Sequence, residues 1–357
     1  AAKKSVIQDL AGMGTAKIGV IKVPTFYRDF RGESRGDKDF RSTTRDVRRL
    51  LGELAAEGVD GVVIDLRLNG GGSLSEATEL TGLFIDRGPV VQVKDAFGKI
   101  EVEEDPDPQV VYQGPLAVLV DRNSASASEI FAGAIQDYKR GVVIGEPTFG
   151  KGTVQTLVDL NRFVPGSDED LGRLRLTMAQ FFRINGGSTQ HRGVVPDILF
   201  PTAKEASEHG ERALNNALPW ANITPALYAP KGVGAYARLR DRSQERVAVD
   251  SGFSMLNEQA RLIREMDETM TVSLNEKKRR NESDRREKLL KSQKNRFLLS
   301  QGITPREDED DEDDEDIEAK EKEQDAISGI QLDEAARILA DFIAMEAENR
   351  PRAAMRN

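Results

Sequence analysis

Three short runs of small and polar residues carry the groups in this sequence that could do chemistry. They are residues 69–72 (NGGG), residues 124–129 (SASASE) and residues 145–153 (GEPTFGKGT). Each run follows a short apolar segment, and in α/β folds sites gather at the carboxyl ends of buried strands. Together the runs offer hydroxyl groups, a lysine amine and glycine N–H groups. Acyl transfer needs such a set: a nucleophile, a base and donors for an oxyanion.

The serine-rich run begins a predicted helix, where free backbone N–H groups and the helix dipole favour negative charge. This position suits a nucleophilic serine with an oxyanion beside it. The same residues also fit a simple helix cap, because Ser126 and Glu129 have the spacing of a capping box. Physical reasoning from the sequence does not choose between Ser124, Ser126 and Ser128 as the nucleophile.

The lysine-containing run places a single amine, that of Lys151, between two glycines. A phosphate-binding loop needs Ser or Thr directly after the lysine, and Gly152 stands there instead. A lysine that is desolvated beside a serine loses its proton more easily and can act as a base. The alternative is an ordinary surface charge. The triple glycine likewise fits either a plain turn or N–H groups that approach a substrate.

The amino-acid composition excludes several other kinds of catalytic and metal-binding site. The 357 residues contain no cysteine and two histidines, His191 and His209. Thiol catalysis, disulfides and His-rich metal sites are therefore excluded, and imidazole is scarce as a base. No cofactor and no metal are expected. The net charge is −10, and no apolar stretch reaches the roughly 18 to 20 residues of a membrane span, so none is expected.

The first 200 residues alternate apolar with amphipathic segments, which is typical of an α/β fold whose crossovers share one hand. The apolar segments are nearly continuous and β-branched, the pattern of strands buried on both faces. The predicted strands are residues 17–24, 61–66, 116–120 and 142–144, and the predicted helices are residues 45–57, 74–85 and 127–138.

Beyond residue 200 the strand signal fades. The sequence therefore predicts a core at 1–200 and a helical domain at 201–357. Two long polar helices are expected, and then an amphipathic helix whose apolar residues recur every three or four positions. The polar helices are residues 256–270 and 273–299, and the apolar residues of the last helix are Leu332, Ala336, Leu339 and Ile343.

Charge in this C-terminal region occurs in blocks. Residues 277–296 contain ten basic and three acidic residues, and residues 307–316 are all acidic. The acidic run predicts a charged disordered insert around 300–325. Binding of nucleic acid by the basic segment is disfavoured, because no aromatic residue is interleaved with it and the acidic run follows.

Three stretches make this sequence resemble the carboxyl-terminal processing proteases. They are residues 61–95 (from GVVIDLRLNGGGS), residues 114–155 (from GPLAVLVDRNSASASE) and residues 181–198 (FFRINGGSTQHRGVVPDI). The resemblance implies an α/β fold with a ββα core of the crotonase-like and ClpP-like kind, followed by an α-helical C-terminal domain. It is strong over residues 59–200 and weak in the charged C-terminal region.

The resemblance also implies roles for single residues. Ser126 would be the nucleophile, Lys151 the general base, and Gln155 the residue that holds the lysine amine. The backbone N–H groups of Gly72 and Ala127 would form the oxyanion hole.

Asp137 matches a further position of the family, and we expect a structural role for it. It lies about three turns into the helix that starts at Ser126, roughly 16 Å along the axis, which is too far for direct chemistry. Family members also carry a PDZ domain, which binds substrate tails by strand addition, before the strand at Lys17. No such domain fits into the 16 residues ahead of Lys17. We therefore expect this chain to lack the usual substrate recognition.

The implied function is a serine endopeptidase that cleaves proteins selected by their nonpolar C-terminal tails through an acyl-enzyme. The resemblance further implies protein or peptide substrates, an adaptor lipoprotein, a homo-oligomer and a periplasmic location. Two other functions stay open. One is a non-catalytic scaffold that assembles through the helical region, and the other is an acyl-CoA enzyme of the crotonase fold, for which no adenine-site signature occurs.

Overall fold

The computed structural model describes residues 1–164, 169–201, 209–232, 236–267, 271, 273–306 and 314–349. The strands in these ranges are β1 (Lys3–Ile7), β2 (Ile18–Lys22), β3 (Gly61–Asp65), β4 (Gly88–Asp95), β5 (Ile100–Asp105), β6 (Leu116–Val120), β7 (Val142–Gly145), β8 (Thr153–Asp159), β9 (Arg173–Phe182) and β10 (Ile198–Leu199). The α-helices are α1 (Phe30–Ser34), α2 (Thr43–Ala56), α3 (Leu74–Gly82), α4 (Ala127–Asp137), α5 (Ala237–Val249), α6 (Ser251–Asp267), α7 (Glu276–Ser300) and α8 (Asp314–Asn349).

A six-stranded sheet of order β1-β2-β3-β6-β7-β10 forms the centre of the molecule. Five of these strands run parallel to one another, namely β2, β3, β6, β7 and β10. The edge strand β1 pairs antiparallel with β2. The four strands predicted from apolar runs are β2, β3, β6 and β7, which lie side by side. The predicted helices of the first 200 residues are α2, α3 and α4. The predicted α/β fold is therefore confirmed.

Both faces of this sheet are covered, which explains why its strands are apolar at every position. Ile64 and Val118 point to a core shared with α2, α3 and α4. Val63 and Leu119, each one position away, belong to a second core that includes α8. Because successive side chains of a strand point to opposite faces, a strand covered on both faces needs continuous apolar residues.

The C-terminal helix α8 covers the second face of the central sheet. It contacts β2, β3, β6 and β7, and Ala336 and Leu339 are fully buried against them. The helix lies close to the strands, since a Cβ on Gly61 would be 3.0 Å from the side chains of Leu339 and Ile343. The predicted amphipathic helix is thus present, and its apolar face completes the core of the N-terminal region.

The disordered insert predicted around 300–325 needs a correction. Residues 307–313 of the acidic run lie outside the described residues, but α8 begins at Asp314 and includes the last part of the predicted insert. From Ile317 on, acidic residues alternate with alanine, lysine and glutamine, which favour helix. Glu318 and Lys322 also form an i,i+4 ion pair at 2.7 Å. A prediction from charge alone therefore extended the disordered insert too far along the chain, into residues that belong to α8.

A second, antiparallel sheet of order β5-β4-β9-β8 was not predicted. Its strands β8 and β9 are mostly exposed and mix polar with apolar residues. They therefore lack both the continuous apolar run of a buried strand and a clear alternation. β8 begins two residues after Lys151, so this sheet extends from the lysine-containing loop.

Replacing Leu339 by alanine is expected to lower the free energy of unfolding by about 2–5 kcal/mol, because it opens a cavity between α8 and the sheet. The control is Leu299→Ala at the end of α7, where the residue is 63% exposed and the expected change is below about 0.5 kcal/mol. Urea denaturation followed by circular dichroism measures both. Equal stability of the two variants would contradict the packing of α8 on the sheet.

Candidate active site

The three runs identified in the sequence lie at one edge of the central sheet. They follow the carboxyl ends of β3, β6 and β7, which are parallel neighbours. Backbone hydrogen bonds join them: the Ala125 N–H donates to Asn69 O over 3.0 Å, and the Phe149 N–H donates to Ser124 O over 3.0 Å. The predicted convergence of three loops is confirmed, and the strand order explains it.

The buried side chain of Asn69 fixes the glycine-rich loop. Its Nδ2 donates to Val23 O at 2.8 Å, and its Oδ1 accepts from the Gly71 N–H at 2.9 Å. Its backbone carbonyl accepts from the Ala125 N–H and from the Ser128 hydroxyl. One asparagine therefore joins the glycine-rich loop to the serine-rich loop, a role that the sequence did not indicate.

The structure separates the three serines of the second loop. Ser124 and Ser128 are fully buried, and their hydroxyls donate to the carbonyl oxygens of Leu66 and Asn69 at 2.9 and 2.8 Å. Ser126 is partly exposed and stands directly before α4. Its φ of 57° and ψ of −113° form a strained backbone that costs about 1–3 kcal/mol. Of the three serines, Ser126 is the one that solvent reaches.

The carboxylate of Glu129 connects the serine-rich loop to the lysine-containing loop. This side chain is fully buried in the first turn of α4. Its Oε2 accepts from the N–H groups of Ser126 at 2.8 Å and Lys151 at 3.0 Å. Its Oε1 accepts from the Gly150 N–H at 2.7 Å and from the Thr148 hydroxyl at 2.6 Å. The residue predicted as a helix cap therefore also holds a second loop in place.

Burial raises the pKa of Glu129 to about 7, although the four donated hydrogen bonds favour the charged form. A protonated carboxyl group must donate with one oxygen and has fewer acceptor sites. The connection between the two loops is therefore complete only when the group is ionised, as the pH rises above about 7.

Lys151 is held mainly through its backbone. Besides the hydrogen bond from its N–H, its carbonyl accepts from the Thr189 hydroxyl at 3.3 Å. The flanking Gly150 and Gly152 pass so close to residues 188–191 that a Cβ on either would lie 2.9 Å or less from an atom of that segment. The side chain of Lys151 is half-buried, and its Nζ makes no hydrogen bond to any residue in the described part of the chain.

Two backbone N–H groups beside Ser126 are available to bind an oxyanion. Among the described residues, neither the Gly72 N–H nor the Ala127 N–H has an acceptor. Gly72 is exposed with φ 146°, and a Cβ there would lie 2.2 Å from Phe26 O. A Cβ on Gly71 would lie 2.8 Å from the Cβ of Ser126, so the glycine-rich loop passes directly beside this serine. The N-terminus of α4 adds its positive dipole.

Comparison with known proteins identifies the family of this chain. Residues 17–200 match the model of peptidase family S41. The chain belongs to peptidase family S41. Residues 205–344 match the C-terminal domain of tail specific protease. The chain is 44% identical to the tail-specific protease of Haemophilus influenzae over 273 residues. The aligned region covers 75% of this chain and 37% of that protein.

Two further matches are a second curated protein and a solved structure. The chloroplastic C-terminal processing peptidase of Tetradesmus obliquus is 33% identical over 187 residues, or 52% of this chain and 36% of that protein. The solved photosystem II D1 C-terminal processing protease is 31% identical, with a TM-score of 0.46 over 56% of this chain and 48% of that chain. The chain thus spans a little over a third of the length of these curated relatives. The predicted resemblance to carboxyl-terminal processing proteases is confirmed.

Gln155, expected in this S41 chain to hold the lysine amine, is exposed on β8. A register shift between Val154 and Gln155 marks a bulge that follows the lysine-containing loop. No hydrogen bond between Gln155 and Lys151 occurs within the described ranges. The role of Gln155 stays a prediction.

Asp137 lies at the last residue of α4, at the opposite end of this helix from Ser126. Its carboxylate accepts from Arg183 at 2.6 and 3.0 Å and from Asn185 Nδ2 at 2.8 Å. These contacts attach the helix to the segment that follows β9. Its structural role stays a prediction, and the ion pair provides a physical basis for it.

Gln190 is a further residue that sequence reasoning missed. It is fully buried, its Oε1 accepts from the Gly152 N–H at 2.8 Å, and its Nε2 donates to Leu218 O at 2.9 Å. It therefore supports the loop of Lys151 from behind. The available signal was its position within residues 181–198, a stretch that matches the family without carrying any obvious chemistry.

Among the described residues, no group of three or more His, Cys, Asp or Glu side chains could hold a metal ion, and no helix combines the length and the apolar composition of a membrane span.

Proposed function

We propose that this chain is the catalytic core of a serine endopeptidase, with Ser126 as nucleophile and Lys151 as general base. The carboxylate of Glu129 supports this proposal most directly, because one oxygen accepts from the N–H groups of both residues. It holds the two loops together at the edge of the sheet. Membership of peptidase family S41 agrees with this chemistry.

The reaction follows from the groups at this edge. The neutral amine of Lys151 takes the proton from the Ser126 hydroxyl as its Oγ attacks a peptide carbonyl carbon. The oxyanion that forms is bound by the N–H groups of Gly72 and Ala127. Collapse breaks the C–N bond, and the Lys151 ammonium gives its proton to the leaving amine. An ester between the substrate's acyl group and Ser126 remains.

Water completes the cycle. The neutral Lys151 amine takes a proton from a water molecule that attacks the ester carbonyl, and the same N–H groups bind the second oxyanion. Collapse breaks the bond to Ser126 Oγ, which recovers its proton from the lysine. Gln155 is proposed to hold the amine once substrate is bound, and a closed cleft would bring it closer than in the free chain.

The finer aspects of function are part of the proposal. The substrates are proteins with nonpolar C-terminal tails, and the location is the periplasm, by resemblance to the tail-specific protease. An adaptor lipoprotein and assembly as a homo-oligomer belong to the same proposal. A non-catalytic scaffold is the second candidate, since α5 to α8 offer a long helical surface.

Labelling with a fluorophosphonate, a small reagent that forms a covalent bond with an activated serine, tests the proposal without any substrate recognition. The expected result is one adduct, located at Ser126 by mass spectrometry. Ser126→Ala is expected to remove it, whereas the control Ser75→Ala, at an exposed serine of α3, is expected to keep it. An adduct on Ser124 or Ser128 would contradict Ser126 as the nucleophile, and a chain that is not labelled at all would favour the scaffold.

A further inference from the structure

The strands β8 and β9 form a two-stranded ribbon that extends beyond the second sheet. β4 pairs with the last four residues of β9, 179–182, and among the described residues no third strand pairs with the rest of the hairpin. β8 is the edge strand of this sheet. Within the described part of the chain, no backbone hydrogen bond extends from the outer edge of Val154–Val158. An unpaired edge of this kind is a template for another strand.

The register shows which backbone groups of β8 point outward. Leu160 N–H donates to Gly172 O, so these residues form a hydrogen-bonded pair next to the pair Asp159–Arg173. Hydrogen-bonded and non-hydrogen-bonded pairs alternate along an antiparallel ladder. Leu157 therefore belongs to a non-hydrogen-bonded pair, and its N–H and C=O face the open edge.

One face of the ribbon is apolar although solvent reaches it. Val158, Leu174 and Leu176 lie on this face together with Thr156, because opposed residues and alternate residues of a ladder point the same way. The two leucines are 47% and 39% exposed. A strand added at β8 would place every second side chain beside this apolar strip.

The opposite face of the ribbon borders a cavity close to the lysine-containing loop. The cavity has a volume of about 360 Å³, and Thr153, Gln155, Thr177 and Leu218 are among its lining residues. The remaining side chains of an added strand would point toward this side. The ribbon therefore offers a distinct environment to each of the two sets of side chains.

We propose that the outer edge of β8 binds the polypeptide substrate as an added antiparallel or parallel strand, with apolar side chains at alternate positions. This inference rests on the proposed peptidase function. The substrate is the occupant because the edge starts two residues after Lys151 and belongs to the strand that continues from this loop, past the bulge at Val154 and Gln155. Leu157 lies six residues after Lys151, which in an extended strand is about 20 Å. Residues several positions from the scissile bond therefore contribute to binding.

Leu157→Pro removes the outward N–H without removing a hydrogen bond of the β8–β9 ladder, as proline allows on an edge strand. A matched control is Val102→Pro on β5, the opposite edge of the same sheet. Asp95 N–H donates to Lys99 O, so by the same alternation the Val102 N–H also points outward. Leu157→Ala keeps the N–H and removes only the side chain.

The binding test uses a fluorescent ten-residue peptide with valine at alternate positions and the Ser126→Ala chain, which cannot cleave it. Fluorescence anisotropy is expected to show binding that Leu157→Pro weakens by roughly ten-fold and Val102→Pro leaves unchanged. Leu157→Ala is expected to weaken it by less than Leu157→Pro. No binding by the Ser126→Ala chain, equal binding in both proline variants, or a dimer that Leu157→Pro dissociates would each overturn the proposal.

A second measurement keeps this proposal separate from the peptidase assignment. In a chain with Ser126 intact, Leu157→Pro is expected to keep fluorophosphonate labelling at the wild-type rate and to raise KM for the ten-residue peptide. If Leu157→Pro is labelled and cleaves this peptide with unchanged KM, strand addition is contradicted and the catalytic assignment is not. Absence of labelling in the wild type would instead sink the catalytic assignment.

Discussion

Replacing Lys151 by alanine is expected to lower kcat for peptide hydrolysis by about 10³-fold or more, because it removes the base that takes the Ser126 proton. The fold is expected to persist. The loop is held by the backbone of Lys151 and by the two adjacent glycines, which the substitution leaves in place. The free energy of unfolding should therefore change by less than about 1 kcal/mol. Steady-state hydrolysis of a fluorogenic peptide and urea denaturation measure the two quantities.

Lys151→Arg makes this test more specific. A guanidinium keeps a positive charge in the same loop but stays protonated, so it cannot accept a proton from serine. We expect Lys151→Arg to be as inactive as Lys151→Ala, and Lys22→Ala, at an exposed lysine of β2, to keep wild-type kcat. Substantial activity in Lys151→Arg would show that the lysine acts through its charge and not as a base.

Replacing Glu129 by alanine is expected to reduce both stability and activity. The N–H groups of Ser126, Gly150 and Lys151 and the Thr148 hydroxyl would lose their acceptor in a buried place. A buried donor left without an acceptor costs about 1–3 kcal/mol, so the free energy of unfolding is expected to fall by about 3–5 kcal/mol. The loops of the nucleophile and the base would also lose their connection, and a misplacement of about 1 Å costs roughly 10²-fold in kcat.

A buried carboxylate elsewhere serves as the matched control for this variant. Glu334 on α8 is 1% exposed and accepts from Arg246 at 2.8–3.0 Å. Among the described residues its ion pairs are with Arg246 and Arg337 and not with residues of the three loops. Glu334→Ala is expected to destabilise the chain by a similar amount. Its rate of Ser126 labelling at a temperature where both variants are folded should remain normal. Equal labelling in the two variants would contradict a positioning role for Glu129.

The raised pKa of Glu129 predicts a pH dependence of stability. Between its ordinary value of 4.5 and about 7, the folded chain binds a proton that the unfolded chain has released. The contribution of this group to the free energy of unfolding therefore falls as pH rises through that window. Glu129→Gln cannot titrate, so urea denaturation at steps from pH 4.5 to 8 should show a smaller decrease in the variant. Parallel curves for the two chains would contradict the shifted pKa.

Much of the central sheet could be predicted because its physical cause is local. The runs at β3, β6 and β7 are apolar at every position, and strands of that kind are buried on both faces of a parallel sheet. The antiparallel ribbon could not be predicted in the same way. Its strands carry exposed leucines and arginines side by side, and their pairing joins residues 153–159 to residues 173–182 across the hairpin.

In the helical region, too, the sequence predicted an element but not its partner. The spacing of Ala336 and Leu339 predicted an amphipathic helix, but an apolar stripe does not state what covers it. The structure places this helix on the sheet of the N-terminal region, 3.0 Å from where a Cβ on Gly61 would lie. Contacts between residues nearly 300 positions apart are set by the packing of the whole chain.

The candidate site was likewise predicted in part from the sequence and decided in part by the tertiary structure. The sequence by itself determined which reactive groups are available. A chain with no cysteine and two histidines has serine hydroxyls and a lysine amine as its candidate groups, in loops that follow buried strands. Only the tertiary structure separated Ser126 from its neighbours, because burial and hydrogen bonds engage the hydroxyls of Ser124 and Ser128. It also gave Glu129 its second role. A carboxylate that caps a helix is a local feature, but one that binds another loop 22 residues away depends on strands meeting at one edge of a sheet.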